Sequence, residues 1–225
     1  MTIILTTASS QGCVSSSDGR IIAENTIKCE RYDKTFTLYG DKIIGAYAGM
    51  MSFGKYTCHG TTHVNKFIYE LSGKKSPISL YEFVTFLKNE LLTIIQSLSE
   101  KEWTIRSRNL VIFLVGRSDL RDGDYTIYEI NFGPDDENTG VEAQILGPQG
   151  PVTSEMMMRA NSDSTSAQAA ALNYLDKYKS NPDVSVDEMT DIHQEALTEA
   201  ITAAKRNKTG AHASCGGFRF YQRST

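Results

Sequence analysis

The sequence predicts an α+β protein built as a four-layer α/β/β/α sandwich, with two antiparallel sheets between two layers of helices. Strand-like and helix-like segments occur in blocks rather than alternating one by one, which disfavours a parallel doubly wound sheet. The chain has 225 residues, 40% of them hydrophobic and 22% charged, which is enough to bury the core of one medium-sized domain. Two smaller domains would also fit this length, but no long linker divides the sequence. We therefore expect residues 1–225 to form a single domain.

The first block of segments is β-rich and is followed by two helices. Short runs typical of strands, separated by turn residues, make up the start of the chain: TIILTT, GCVSSS, RIIAEN, KTFTLYG and KIIGAYAG. From about Ser52 the apolar residues recur at helical intervals, which predicts helices within FGKYTCHGTTHVNKFIYELSG and SLYEFVTFLKNELLTIIQSLS. Ser79 stands where the N-cap of the second helix is expected.

The second half of the chain repeats this order. NLVIFLVGRS, YTIYEINFG and VEAQILGP predict three strands, with loops rich in Asp, Gly and Asn between them. Two further helices are predicted in SAQAAALNYLDKYKS and SVDEMTDIHQEALTEAITAAKR. A closing pair of strands is predicted around HASCG and GFRFYQ. Helices placed outside two antiparallel sheets are the natural packing for this order.

The charge and hydropathy of the chain exclude two classes of partner. The formal net charge is −4 and the pI about 5.6, so the protein has no overall positive field with which to bind a nucleic-acid backbone. No apolar run approaches the roughly 20 residues that cross a bilayer, and MTIILTTASSQG lacks the features of a signal peptide. We expect a cytoplasmic protein with neither nucleic acid nor membrane as a partner.

The cysteines and histidines predict no metal or cofactor. The four cysteines are scattered without CxxC spacing, and the four histidines do not pair with them at zinc-ligand intervals. Free thiols in a reducing compartment are the simplest interpretation. Cys58, His59 and His63 could form the corner of a metal site, but the sequence offers no further ligand beside them.

Three stretches carry a more specific pattern. The first runs from Thr2 through SDGR, residues 17–20, to Lys34; the second is LYGDKIIGAYAG; the third is RANSDSTSAQAAA, which contains Ser162. In these stretches the sequence resembles the β-type proteasome subunits and the HslV-like peptidases, which are N-terminal-nucleophile (Ntn) hydrolases of the threonine peptidase family. The resemblance supports the predicted sandwich fold.

The resemblance implies a role for five residues. Thr2, freed by removal of Met1, takes the place of the nucleophile, and Asp18 and Lys34 take the places of the acid and the lysine beside it. Ser162 takes the place of a serine that hydrogen-bonds the amine of the threonine or a nearby water. The oxyanion donor of the family, a backbone N–H in the turn that ends the strand of the second stretch, aligns with Ala46.

The chemistry of this set is physically coherent. A threonine hydroxyl is a poor nucleophile until a base takes its proton, and at the start of a chain the α-amine can be that base. The ordinary pKa of an α-amine is about 7.7–8.0. A lysine ammonium close by would disfavour protonation of the amine and stabilise the alkoxide as it forms, while an aspartate would balance and position the lysine.

The resemblance also implies a substrate class and partners. We expect a peptide or unfolded-protein substrate, assembly of identical subunits into a ring, and an ATPase unfoldase as a partner. The family positions that line the substrate pocket align with Ile21, Tyr32, Ile44 and Ala48, which indicates a preference for apolar side chains. The alternative is that these four are simply core residues.

Two departures leave alternatives open. Asn207 stands where the family has a supporting aspartate, so a catalytically silent structural subunit is one alternative, and a small-molecule amidohydrolase of the same fold is another. Thr6 and Thr7 resemble the double threonine at many mature proteasome N-termini. We prefer Thr2, because cleavage before Thr6 would shorten the spacing to Asp18 and Lys34 and remove half of the first strand.

Overall fold

A computed structural model gives the fold of the chain. It describes residues 2–23, 26–49, 52–53, 62–97, 110–120, 123–134, 141–149, 155–162, 164–206 and 217–225. The strands in these residues are β1 (Ile3–Ser9), β2 (Gly12–Asp18), β3 (Ile21–Ala23), β4 (Thr26–Cys29), β5 (Thr35–Leu38), β6 (Ile43–Gly49), β7 (Ser52–Phe53), β8 (Thr62–His63), β9 (Leu110–Arg117), β10 (Tyr125–Pro134), β11 (Val141–Gln149), β12 (Met157–Ser162) and β13 (Arg219–Ser224).

The strands form two main antiparallel sheets. One has four strands in the order β12-β1-β2-β13, and the other has five in the order β11-β10-β9-β6-β5. Two small ribbons, β3-β4 and β7-β8, lie outside these sheets. The connections from β1 to β2, β5 to β6 and β9 to β10 are short and join neighbouring antiparallel strands, as is usual for hairpins.

Four α-helices flank the sheets: α1 (Val64–Ser72), α2 (Leu80–Ser97), α3 (Thr165–Leu175) and α4 (Val186–Arg206), with a short 3₁₀-helix, Asp176–Tyr178, after α3. Serine caps start three of them. The hydroxyls of Ser79, Ser164 and Ser185 each accept a hydrogen bond from the backbone N–H three residues later. The expected N-cap at Ser79 is therefore confirmed, and each cap satisfies a donor that the first turn leaves free.

Three apolar layers hold the four structural layers together. Helices α1 and α2 pack on the outer face of the five-stranded sheet, around buried residues such as Phe36 and Phe83. Helices α3 and α4 pack on the outer face of the four-stranded sheet, around Leu5, Ala171 and Leu197. Side chains from the inner faces of both sheets meet between them. This arrangement confirms the predicted α+β four-layer sandwich with two antiparallel sheets.

The structure corrects three details of the sequence-based prediction. Residues 157–162, for which the sequence predicted no strand, form strand β12 at the edge of the four-stranded sheet. Ser52–Phe53 and Thr62–His63 pair as a ribbon, so the first helix begins at Val64. The last strand, β13, pairs with β2, while the HASCG segment expected to pair with it lies outside the described residues.

Within the described parts of the chain, no helix is both long and apolar enough to cross a bilayer.

Candidate active site

Thr2 lies at the start of β1, next to the end of β2. It is buried, with 5% of its surface exposed. In the β1-β2 hairpin Ile4 lies opposite Ser17, so the register brings Asp18 opposite Ile3, the residue after Thr2. Asp18 Oδ1 accepts a hydrogen bond from the backbone N–H of Ile3 at 2.9 Å. The carboxylate is thereby fixed against the peptide bond that joins Thr2 to the strand.

Lys34 lies on the other side of this carboxylate. Its Nζ is 3.1 Å from Asp18 Oδ1, and both side chains are fully buried. The same Nζ donates to the carbonyl oxygens of Asp18 at 2.9 Å and Arg20 at 2.8 Å. An ammonium has three N–H donors, and among the described residues these three oxygen atoms lie within hydrogen-bonding distance of it. A buried ion pair with its hydrogen bonds satisfied in this way offsets the cost of removing both charges from water.

The two sheets meet at this site. Asp18 ends β2 in the four-stranded sheet, whereas Lys34 directly precedes β5 in the five-stranded sheet. The backbone of Lys34 is held by its carbonyl, which accepts a hydrogen bond from Tyr47 N at 3.0 Å. Because Asp18 Oδ1 contacts both Ile3 N and Lys34 Nζ, the structure brings Thr2, Asp18 and Lys34 together, although 16 residues separate the aspartate and the lysine.

Ser162 lies at the same end of the four-stranded sheet. It ends β12 and pairs with Ile3 in the register of β1 and β12. Its Oγ accepts a hydrogen bond from Ser164 N at 3.1 Å, just before α3 begins. The register places Ser162 within one residue of Thr2 along the strand direction.

Ala46 is positioned differently from the expectation. It lies inside β6 rather than in a turn after the strand, and pairs with Thr35 on one side and Phe113 on the other. Tyr47 N donates to Lys34 O on the β5 side, so the alternation of a regular antiparallel strand directs the N–H of Ala46 toward β9. The expectation of a turn at Ala46 is wrong, because β9 continues alongside β6 as far as Gly49. We assign no oxyanion role to this residue.

Two positions expected to line a substrate pocket are core residues. Ile44 is fully buried with Ala8 and Val115 between the sheets, and Ala48 is buried there with Ile4. Tyr32 is closer to a surface: its hydroxyl accepts a hydrogen bond from the Tyr47 hydroxyl at 3.1 Å. For Ile44 and Ala48 the simpler alternative, a structural role, is therefore the better one. The side chain of Ile21 lies outside the described residues.

Thr6 and Thr7 are built into the middle of β1. Both are fully buried; the hydroxyl of Thr6 lies 2.8 Å from Ser15 Oγ, and that of Thr7 lies 2.9 Å from His193 Nε2. A chain starting at Thr6 would lose residues 3–5, which pair with both β2 and β12. The structure therefore favours Thr2 over these two threonines as the leading residue.

His193 is remote from Thr2. It contacts β1 at Thr7, five residues along the strand, which corresponds to roughly 17 Å, and it lies on α4 against the outer face of the sheet. It is not part of the candidate site. Asn207 and His212 lie outside the described residues, as do Cys58 and His59. Within the residues that the structure describes, no group of three or more metal-ligating side chains comes together.

Sequence reasoning missed one ion pair beside Lys34. The guanidinium of Arg20, whose carbonyl accepts from Lys34 Nζ, pairs with the carboxylate of Glu30. Arg20 belonged to the SDGR stretch but carried no predicted role. Arg20 directly precedes β3 and Glu30 directly follows β4. No regular sequence spacing predicts an ion pair between residues in these positions.

A cavity of about 720 Å³ lies at the other end of the sandwich. It is lined by the β1-β2 turn at Gln11, the β5-β6 turn at Asp41, and the end of β13 at Ser224. The β1-β2 turn is at the opposite end of its hairpin from Thr2 and Asp18, and the β5-β6 turn is at the opposite end of β5 from Lys34. Ser224 is at the opposite end of β13 from Arg219, which pairs with Asp18. The cavity is therefore separate from the candidate active site.

Comparison with known proteins is informative only at the level of structure. No protein-family model and no curated protein matches the sequence. The chain is similar in structure to Anbu, an ancestral β-subunit from Yersinia bercovieri, with a TM-score of 0.59 over 99% of this chain and 81% of that chain. At this coarse level the fold is proteasome-like. The sequence identity is 13%, so the likeness to Anbu concerns the fold alone.

Proposed function

We propose that the chain is a threonine-type hydrolase in which the Oγ of Thr2 is the nucleophile once Met1 is removed. The observation that carries this proposal is the fully buried pair of Asp18 and Lys34, joined by one carboxylate oxygen to the peptide bond after Thr2. Lysine and aspartate are almost never fully buried unless they are paired. The contact of this pair with the peptide bond after Thr2 supports a role for it beside a chain-terminal hydroxyl and amine.

The proposed reaction runs in two steps. The α-amine of Thr2 takes the hydroxyl proton as Oγ attacks the substrate carbonyl carbon, and the proton then passes to the departing amine as the C–N bond breaks. This leaves an ester on Thr2. Water gives a proton to the same α-amine as it attacks the ester carbonyl carbon. The bond from that carbon to Oγ then breaks, and the α-amine returns the proton to Oγ, which releases the carboxylic acid. Lys34 stabilises the alkoxide electrostatically, and Asp18 fixes the lysine. Ser162 is proposed to hold the amine or the attacking water.

Removal of Met1 is required by this chemistry. With Met1 attached, the nitrogen of Thr2 is an amide that cannot accept a proton. Activity should therefore appear only in protein whose measured intact mass lacks the methionine. It should also rise with pH as the amine loses its proton.

We further propose peptide-bond hydrolysis as the activity, which would make the protein a threonine endopeptidase acting on peptides or unfolded proteins. The support is the sequence resemblance to proteasome β-subunits together with the proteasome-like fold. A cytoplasmic ring of identical subunits, served by an ATPase unfoldase, belongs to the same proposal. Closed symmetry is the usual outcome of repeated identical interfaces. Sedimentation of only monomer at micromolar concentration would remove the ring from the proposal.

A second candidate function is a catalytically silent subunit of the same fold. The placement of Ala46 favours it, because the N–H of this residue is directed to β9 and not to a bound carbonyl. Loss of an oxyanion donor typically lowers kcat by about 10²–10³. A small-molecule amidohydrolase is the remaining alternative, and a comparison of peptide with small amide substrates distinguishes it.

The test is steady-state cleavage of fluorogenic peptides by the Met1-free protein and its variants. We expect Thr2→Ala to lose turnover and Thr2→Ser, which keeps a hydroxyl, to retain part of it. The matched control is Thr198→Ala, which removes the same atoms from a threonine on α4 whose hydroxyl bonds the preceding turn of its own helix. Cleavage by folded Thr2→Ala at the wild-type rate would exclude Thr2 as the nucleophile. No cleavage by any Met1-free form would favour the silent subunit.

A further inference from the structure

The hydrogen bonds of Lys34 depend on a loop that follows β2. Two of the three acceptors belong to Asp18, which ends β2, but the third is the carbonyl oxygen of Arg20, 2.8 Å from Nζ. Arg20 lies between β2 and β3 and has no strand partner in either main sheet. Arg20 directly precedes β3, whose first residue, Ile21, pairs with Cys29 of β4. The position of its carbonyl is therefore set by the β3-β4 ribbon and by the contacts of Gly19 and Arg20, not by either main sheet.

Glu30 supplies the side-chain contact that anchors the loop. The Arg20 guanidinium pairs with the Glu30 carboxylate; the arginine side chain is 12% exposed and the glutamate side chain 47%. The segment around Glu30 is itself fixed on two sides. Tyr32 N donates to Gly19 O at 3.0 Å, and Phe218 N donates to Glu30 O at 2.8 Å. Glu30 is thus held between the end of β2 and the start of β13.

The backbones of Gly19 and Glu30 meet closely here, which fixes Glu30 against the end of β2. A Cβ added to Gly19 would meet the Glu30 carbonyl oxygen at 2.7 Å, so only glycine allows the two segments to approach. Arg31 adds a second contact, because its guanidinium carbon lies 4.2 Å from the centre of the Phe218 ring. Rigid neighbours of this kind are what a positioning residue needs in order to act on a distant atom.

We propose that Glu30 is a positioning residue for Lys34: through its ion pair with Arg20 it places the Arg20 carbonyl that completes the hydrogen bonding of the lysine ammonium. This rests on the proposed function of the site. The effect is transmitted in three steps, from the Glu30 carboxylate to the Arg20 guanidinium, along Arg20 to its carbonyl, and from the carbonyl to Lys34 Nζ. Misplacement of a catalytic group by a fraction of an ångström to 1 Å lowers rates by up to about 10²-fold.

The first experiment compares Glu30→Ala with Asp187→Asn in the Met1-free protein. Asp187 pairs with Arg223 at 2.7 Å on the surface at the far end of the sandwich, so it controls for loss of an exposed ion pair. We expect Glu30→Ala to lower kcat about 5- to 30-fold with little change in KM. The acid limb of its pH–rate profile should move to higher pH, because the Lys34 charge is held less firmly beside the amine. Asp187→Asn should change neither quantity.

Charge reversal separates positioning from a general structural role. Arg20→Glu and Glu30→Arg each place like charges together and should each lower kcat. The double variant restores an ion pair while keeping the backbone carbonyl of residue 20, and should recover most of the lost rate. If the double variant were no better than the worse single variant, the ion pair would not act through the carbonyl and the proposal would be overturned.

A second readout does not depend on turnover. The ¹⁵N-edited NMR signal of the Lys34 ammonium should be visible in the wild type, because burial and three acceptors slow exchange with water. Glu30→Ala should speed that exchange about tenfold or more, whereas Asp187→Asn should leave it unchanged. Unchanged exchange in Glu30→Ala would overturn the positioning role even if Thr2 proved essential. Conversely, activity without Thr2 would refute the proposed function and leave the exchange result standing.

Discussion

Acidification should destabilise the protein through one buried histidine. His193 on α4 is fully buried, with Nε2 2.9 Å from Thr7 Oγ1 and Nδ1 2.7 Å from Ser16 Oγ. Thr7 Oγ1 donates to Met189 Sδ, so it accepts from Nε2–H, and Nδ1 accepts from the Ser16 hydroxyl. In the neutral ring, the Nε2 proton and the Nδ1 lone pair satisfy this network. Desolvation by burial lowers the pKa of His193 to about 3.

The size and direction of the effect follow from linkage. The native state holds His193 neutral far below its ordinary pKa of about 6.5, so the unfolded state binds the extra proton first. The contribution to stability is present above about pH 6.5 and is lost as the pH falls toward 3. At about pH 4.5 the unfolded state has gained the proton while the native state has not. Two pH units below the ordinary pKa correspond to a loss of about 3 kcal/mol in the free energy of unfolding.

Urea denaturation at about pH 7 and about pH 4.5, on the wild type and on His193→Gln, measures this loss. The carboxamide of glutamine stays neutral at both pH values, and the carboxylates titrate alike in both proteins. We expect the wild type to lose about 3 kcal/mol more than His193→Gln between the two conditions. An equal loss in both proteins would show that His193 accepts a proton in the folded state, contrary to the neutral network.

Three substitutions test other parts of the structure. Lys34→Ala should abolish turnover and also lower the free energy of unfolding by about 3–5 kcal/mol, because it leaves the Asp18 carboxylate buried without its ammonium; urea denaturation beside the activity assay shows whether both losses occur. Ser79→Ala should cost about 1 kcal/mol by the same measurement, since it removes the N-cap of α2. Gly45→Ala should cost at least about 2 kcal/mol, because the new Cβ collides with the Phe36 ring within the sheet; a wild-type thermal midpoint would contradict that packing.

Much of the fold was predictable from the sequence because its signals are local. The helical period of the apolar residues predicted α2 and α4. Ser79 and Ser185 are the N-caps of these two helices. Strand β12 was missed because an edge strand with few apolar residues, MMRANS, shows no strong alternation. Its stability comes from pairing with β1, which no local pattern reveals.

The candidate site was predictable to the extent that it depends on side chains at fixed intervals. Thr2, Asp18 and Lys34 were predicted through the resemblance of their spacing to that of proteasome β-subunits, and in the structure Asp18 contacts both Lys34 and the residue after Thr2. The third acceptor of Lys34 is a backbone carbonyl, which leaves no mark on the sequence, and the Arg20–Glu30 pair joins residues across a ribbon. Ala46 was misplaced because the sequence did not show that β9 extends alongside β6 to Gly49.

Trapping the acyl-enzyme shows whether Thr2 is the nucleophile. Met1-free protein is treated with a peptide-like β-lactone, whose ring opens on a nucleophilic oxygen to give a slowly hydrolysed ester, and the adduct is located by intact mass and peptide mapping. We expect one adduct per chain, on the hydroxyl of Thr2, and no adduct on Thr2→Ala or on protein that retains Met1. Labelling of another residue, or equal labelling of Thr2→Ala, would contradict the assignment of Thr2 as the nucleophile.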